Sequence, residues 1–506
     1  MSKMSNIQRP VSIGSRLGMK ASGYDAASGT RRVNKTWRSP LGNSDTDDLP
    51  SLEKLRTNSR DAFRNQPLVK GGVDTIRYNT IGGGLVLQSQ PNHEMIGISE
   101  EDASAWAKDV EFKFLRLWAD NKNCDAERTK NWGEIQVVAL YSTLLSGDTF
   151  ALLPNIDRGS SFSLAVQLIE ADRVSNPNKA MDKTKTAGGI TTGTYGEPVT
   201  YHINKFHPGG LSMKNEWVSV PAFGKESGRP NVIHLAERTR PGQKRGVPLL
   251  APVMESLKVL SEYTTAELEA ALISGLYTVF VKTESGELPD PLPGDDGTQD
   301  DDDRTMELAP GLIVGLKEGE SIDTANPGRP NQAFDGFVMS IIKQVGAALQ
   351  VPYELLIKHF SSSYSASRAA LLEAWKAFKT RRQWFAKNFC QPVFEEWLYE
   401  AVLTGAVIAP GFIENETIRA AYCGAAWNGP QPGQLDPVKE TQAAVARVEA
   451  GFSTRTKEAA EMTGTDFEQN ARIAKRENVL MAESGLKMID NGLVEDTEEK
   501  TEEGVK

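Results

Sequence analysis

Apolar positions along residues 51–92 trace two helical stripes and then an extended run. Leu52, Leu55, Ala62 and Phe63 mark one helix face, and Val69, Val73, Ile76 and Ile81 mark a second. Gly82-Gly83-Gly84 stops that second helix before "LVLQSQ". The order helix, glycines, strand is the reverse of a phosphate-binding loop, so the glycines read as a helix stop. Farther on, "SEEDASAWAKDVEFKFLRLWAD" offers Ser99 as a cap and Trp106, Val110, Phe114 and Leu117 as a buried stripe. The helix in "WGEIQVVALYSTLLSGDTFALLP" ends at Gly147, and "TFALLP" starts a strand. Between residues 162 and 235 four short strand patterns, "SLAVQLIE", "EPVTYHI", "WVSVPA" and "VIHLAE", alternate with turn residues and predict a small β-rich region packed on helices.

The later chain is more helical. Leu250, Val253, Leu257, Leu260, Leu268 and Leu272 recur at helical spacing over 246–276, where Pro248 suits a first turn and Pro252 bends or delays the start. Roughly 28 residues at about 1.5 Å of helical rise each give a rod of about 42 Å. "TVFVKT", an acidic loop and "MELAPGLIVGLKEGESIDTANPGRP" form a strand-and-loop module. A second helix, "FDGFVMSIIKQVGAALQ", ends at Val351-Pro352, because the residue before proline avoids helical geometry. From Ser365 a helix of nearly forty residues follows, kinked at Pro392. Asp436-Pro437 and a Thr465/Glu468 capping box start two more helices, stopped by Gly451 and Gly485. Residues 1–60, rich in Ser, Gly, Asn, Arg and Asp, read as a flexible arm. The fold class is therefore α+β, mainly helical.

Composition narrows the class. A chain of 506 residues suffices for two to four domains, each with its own core. No run of about 18 apolar residues appears, so no membrane helix is expected, and the start lacks the apolar stretch of a secretory signal. Cys124, Cys390 and Cys423 are far apart without metal-ligand spacing, which suits a reducing compartment. The net charge of −10 argues against indiscriminate nucleic-acid coating. Charge is segregated all the same. Between Ser365 and Cys390 the bases Arg368, Lys376, Lys379, Arg381, Arg382 and Lys387 face Glu373 alone. Ten carboxylates between Glu284 and Glu307 face only Arg304, and the tail after Asn491 is again acidic. Different ends of the molecule thus suit different partners.

Candidate chemistry centres on "QVPYELLIKHFSSSYSASRAALLEAWKAFKTRR", residues 350–382. A Ser-x-x-Lys nucleophile is missing its lysine, since Arg368 stands three residues after Ser365 and arginine cannot act as a base. His359 lies two residues before Ser361, but catalytic partners usually come from separate elements. The fragment "GKES" at 224–227 has Glu226 where a magnesium-binding hydroxyl belongs. His93-Glu94 lacks the second histidine of a zinc helix, and Asp300 to Asp303 lack calcium-loop spacing. No catalytic, cofactor or metal motif survives. The short donors and cations of Lys358, His359, Ser361, Ser362, Ser363 and Tyr364 suit weak, sequence-independent contact with a sliding DNA backbone, with Lys343 and Arg368 as further phosphate contacts. Two rival readings are an enzyme, a nuclease or serine hydrolase built on 359–368, and a scaffold or tail structural protein without a channel.

Several stretches carry a resemblance: "GVDTIRYNTIGGGLVLQ", "WGEIQVVALYSTLLSGDTFALL", "LAVQLIEADRVSNP", "RPGQKRGVPLLAPVMESL", "APGLIVGLKEGESI", "ALQVPYELLIKHFSSSYSASRAALLEAWKAF" and "DPVKETQAAVARVEAGFSTR". In this order, from about residue 70 to 480, the chain resembles the lambda-type portal proteins of tailed bacteriophages. Ser363 and Ala366 stand where that family's Asn-Tyr-Ser-Ser-x-Arg pattern has Asn and the second Ser. The resemblance implies a non-enzymatic dodecameric ring, assembled in the host cytoplasm and placed at one capsid vertex of the virion. Through it a terminase would package double-stranded DNA and the DNA would later leave. Implied partners are the terminase large subunit, a head–tail connector protein, and the major capsid and scaffold proteins. It implies a portal fold too: an N-terminal arm (1–60), a wing (61–245 and 365–435), stem helices (246–276 and 332–350), a small β-containing clip (277–331), a tunnel loop (351–364), a helical crown (436–490) and an acidic tail (491–506). An acidic channel wall would repel DNA weakly and keep it from sticking.

Overall fold

The computed structural model describes residues 39–120, 122–212, 214–275, 279–283, 320–324, 334–360, 363–433, 437–465 and 467–484, with residues 26 and 32–37 near the start. Among the described residues helices dominate, with four small sheets inserted among them. The chain opens with α1 (Ser44–Asn65) and α2 (Pro67–Thr80), followed by β1 (Val86–Ser89), the single turn α3 (His93–Ile96) and α4 (Glu100–Phe112). A π-helical turn, Lys113–Ala119, extends α4 before α5 (Trp132–Ser146). The β-rich part holds β2 (Asp148–Leu152), β3 (Gln167–Ile169), β4 (Thr186–Ala187), β5 (Ile190–Thr192), β6 (Pro198–Asn204), β7 (Trp217–Pro221) and β8 (Val232–Ala236). It forms two antiparallel sheets, β3-β2-β8 and β4-β5-β6-β7. Helix α6 (Met254–Gly275) leads to β9 (Val279–Thr283), which pairs with β10 (Glu320–Thr324), and α7 (Phe334–Leu349) then packs beside α6. Next come α8 (Tyr353–Ile357), α9 (Tyr364–Phe385), a π-helical turn at Ala386–Cys390, α10 (Gln391–Leu403), α11 (Glu416–Tyr422) and β11 (Ala425–Asn428), which pairs with β1. Helices α12 (Pro437–Glu449), α13 (Arg455–Met462) and α14 (Phe467–Ser484) are the last described elements. Among the described residues no helix is long and apolar enough to cross a membrane.

Burial follows the predicted stripes where helices are regular. Val69, Val73, Ile76 and Ile81 are all buried on α2, and Ser99 caps α4 by accepting from the Asp102 amide. The stripe of α4 shifts at its end. Trp118 is buried and Leu117 is exposed, because the π turn takes more residues per turn and moves the inward position one residue along. Phe114 occupies the centre of the larger core, edge-on to Trp132, Phe394, Trp397 and Trp427. A smaller core under the four-stranded sheet gathers Phe150, Ile169, Ile190, Tyr201 and Ile203.

Two further expectations about helix boundaries need correction. The flexible arm stops well before residue 60: α1 begins at Ser44, and its inner face carries Leu52, Arg56, Ser59 and Ala62. Two of those four are polar, so apolar periodicity alone misses the face. Arg56 is buried because its Nε donates to the Ser146 carbonyl and its Nη2 to Asp148. Helix α6 starts at Met254, behind a 3₁₀ turn at Ala251–Val253, so Pro252 delays the helix and Pro248 lies outside it. Leu257 and Leu260 are buried as expected, whereas Leu268 and Leu272 are 68% and 69% exposed, since the second half of α6 stands away from the core.

The glycines that end helices also permit close crossings. Gly147 has φ +89°, and a Cβ there would stand 2.4 Å from the Gly246 carbonyl oxygen. Gly147→Ala is expected to destabilise the fold by about 2–3 kcal/mol, from left-handed strain plus a backbone clash. A fall in the denaturant midpoint without change in helical content would register this.

Candidate nucleic-acid interface

The segment 350–364 begins with a sharp reversal. Gln350 adopts φ +57°, and the Val351 amide donates to the Gly346 carbonyl at 2.9 Å. A side chain at Gly346 would meet the Val351 carbonyl at 2.7 Å, so only glycine admits this return of the chain. The segment is not a continuous loop, as the tunnel-loop expectation had it. Residues 353–357 form α8, and Leu356 is buried beside Gly346 on α7 and the Cβ-less face of Gly72 on α2. A five-residue helix is too short to leave a periodic signature, which is why the sequence conceals it.

Lys358 ends α8 in the left-handed conformation, φ +54°, with its amide donating to the Glu354 carbonyl. That turn throws Lys358, His359 and Phe360 to the surface. Ser361 and Ser362 lie outside the described residues. Ser363 is the N-cap of α9, accepting from the Ala366 amide at 3.4 Å and lying 3.3 Å from the Ser365 hydroxyl. Its hydroxyl is thus occupied by a structural task. Tyr364 is the first residue of α9. Lys343 is exposed on α7 and stands over the Tyr353 ring at 5.2 Å. It lines a cleft of about 930 Å³ together with Arg238, Gln350, Tyr353, Arg381 and Trp384.

The basic run on α9 is not the open cationic face its composition suggests. Arg368 faces Glu440 of α12 at 3.9 Å, Lys379 faces Glu461 of α13 at 3.7 Å, and Lys376 pairs with Glu373 at 2.6 Å. Arg381 donates to Glu237 at 3.0 Å. Arg382 is buried and donates to the carbonyls of Thr80, Asn79 and Pro430, closing the C-terminal end of α2. Burial draws its guanidinium down to about 10, so it remains charged at neutral pH. Arg368, read from sequence as a phosphate contact, is directed at a carboxylate within its own chain. Among the described residues at the 350–364 corner, the basic side chains left are Lys343, Lys358 and His359.

Other potential chemistry resolves into structure. Glu170, Asp172 and His207 bring three ligand atoms within 4.8 Å of one another. The Arg60 guanidinium lies 2.5 Å from both carboxylates, so the cluster already holds its counter-cation. His202 bridges Thr191 and Ser219, and His234 is buried against Asp148. Burial raises the thiols of Cys124 and Cys423 to about 12 and that of Cys390 well above its usual range, leaving all three protonated.

A family model described as "Phage portal protein, lambda family" matches residues 30–382. Portal protein B of Escherichia phage lambda is 25% identical over 496 residues, covering 92% of this chain and 92% of that protein. The portal protein of Escherichia phage N15 is 26% identical over 473 residues, covering 89% of this chain and 88% of the other. Among solved structures, a chain from the neck of an empty GTA particle computed with C6 symmetry is 15% identical, covers 86% of this chain and 98% of its own, and has a TM-score of 0.43.

Proposed function

Because the chain belongs to the lambda family of phage portal proteins, we propose that its copies close into a dodecameric ring at one vertex of a tailed-phage capsid. The ring forms the passage through which a terminase packages double-stranded DNA and through which the DNA leaves. It also serves as the platform for a head–tail connector protein. Helices α6 and α7 are the stem, the β9–β10 pair and the chain between them the clip, α8 and the residues up to Tyr364 the tunnel corner, and α12–α14 the crown; the other elements make the wing. The observation that carries this reading is the geometry at the base of α7. The paired helices α6 and α7 lead directly into a corner anchored by Leu356 and tipped with exposed Lys358, His359 and Phe360. A few cations on a fixed corner attract phosphates without reading bases, which suits a backbone that must slide. The exposed Leu268 and Leu272 on α6 give neighbouring stems an apolar face to cover.

A structural conduit and an enzyme diverge on the serines. Ser361→Ala and Ser362→Ala are expected to leave packaging unchanged, and Ser363→Ala to cost about 1 kcal/mol through the lost cap. DNA packaging counts in parallel with thermal unfolding separate the cases. Abolished function in any one of these variants with unchanged stability would favour a nucleophile. Deleting 295–303, the acidic stretch outside the described residues, is expected to leave ring formation intact, as checked by sedimentation of the purified protein.

A further inference from the structure

We propose that α12–α14 form a cohesive unit latched to the body of the protein by surface ion pairs, which salt or charge reversal releases. Ion-paired contacts between described residues join the unit to the body on each of the three helices. On α12, Glu440 faces Arg368 at 3.9 Å; on α13, Glu461 faces Lys379 at 3.7 Å. On α14, Glu468 accepts from the Ser104 hydroxyl at 3.1 Å and from Lys108 at 3.3 Å, both on α4. The charged side chains in these pairs are 28% to 56% exposed, so ions screen them readily.

Fully buried apolar side chains among the described residues contribute little to the latch. Among the described residues of the three helices, Ala444 is the one buried hydrophobic side chain. Between α14 and α4 lies an open cleft of about 450 Å³, lined by Glu100, Glu101, Lys108 and Arg472 among others, where a packed joint would be filled. Inside the unit α12 and α13 are bonded more firmly, and α14 packs on α13 across a short turn. Arg447 of α12 forks onto Glu458 of α13 with bonds of 2.9 and 2.6 Å, and Glu458 is buried. The described part of the connection to the body is Gly429-Pro430-Gln431-Pro432-Gly433, which carries no regular structure and is pinned at its start by Arg382 on the Pro430 carbonyl. A unit that coheres internally, meets its support through screened charges and hangs from a pinned glycine-proline linker swings as one piece.

The test follows amide hydrogen exchange in the full-length protein, with α5 as an internal reference. Raising salt from about 0.05 M to about 0.5 M is expected to speed exchange in 437–484 by about three- to tenfold, and to leave 132–146 unchanged. The double variant Glu461→Lys/Glu468→Lys is expected to reproduce that acceleration at low salt. Adding Lys379→Glu and Lys108→Glu restores opposite charges and is expected to restore slow exchange. The latch is overturned by exchange that ignores both salt and charge reversal, by acceleration shared equally with α5, or by failure of the reciprocal swap to restore protection.

Discussion

Asp148→Ala is expected to destabilise the protein by about 3–5 kcal/mol, the largest single effect among the substitutions considered. Asp148 opens β2 with no exposed surface and accepts hydrogen bonds from four directions. Arg56 reaches it from α1 at 2.9 Å, Arg245 at 2.7 and 3.1 Å, His234 from β8 at 3.2 Å, and the Gly246 amide at 3.1 Å. Arg245 also donates to the carbonyls of Val174, Gly188 and Ala171, so the cluster ties both sheets to α1 and to the segment that enters α6. Removing the carboxylate leaves two buried guanidiniums without their anion. Asp148→Asn keeps the shape and some of the bonds and is expected to lose less.

The same cluster sets a pH dependence. Burial alone would raise the Asp148 carboxyl, but Arg245 and Arg56 outweigh it and hold it well below the usual carboxylate range. A depressed carboxylate contributes stability above its unfolded value of about 3.8 and loses it as pH falls from there toward the folded value. His234 behaves in the same sense. Burial lowers its pKa against the opposing pull of Asp148, so the unfolded chain takes up its proton first and stability declines as pH falls below about 6.5. Burial lowers His202 as well. The unfolding midpoint should therefore fall in two stages on acidification. His234→Phe, which can retain the stacking on Phe150, should flatten the upper stage while His202 preserves part of it. A midpoint that rises between pH 7 and 5 would contradict the assignment.

Lys358→Glu is expected to leave ring assembly intact and to lower the number of DNA-filled heads by about tenfold or more. Lys358 is exposed and makes its structural contribution through a backbone amide, so the substitution leaves α8 and its anchor in place. Each subunit changes by two unit charges at the corner proposed to border the passage, and ring symmetry multiplies the repulsion felt by a duplex within a Debye length. Lys358→Gly, which fits the left-handed position without strain, removes attraction without adding repulsion and should cause a smaller loss. Raised salt should narrow the gap between variant and parent. Packaging by Lys358→Glu at the parental level would remove this corner from the DNA path.

What the sequence discloses depends on whether burial is apolar and periodic. The α2 stripe, the Ser99 cap, the Gly147 stop and the strands of the β-rich part are legible because each rests on local spacing or on glycine geometry. The inner face of α1 is concealed because Arg56 and Ser59 belong to it, and only the distant Asp148 explains a buried arginine. Leu117 exchanges places with Trp118 because a π turn alters the period within one helix. At the candidate interface, sequence alone brings out Lys358 and His359 as surface cations. It misleads at Arg368, Lys379 and Arg382, whose partners lie tens of residues or more away. Charge runs report composition, and only the fold tells which cations are already neutralised.

The most direct measurement is electron cryo-microscopy of the purified, assembled protein at side-chain resolution. The expected result is a closed ring around a hole wide enough for a duplex, with residues 353–364 at its narrowest passage and Lys358 and His359 facing the axis. An open filament, a monomer at all concentrations, or a ring that carries residues 353–364 on its outer wall would contradict the proposed channel.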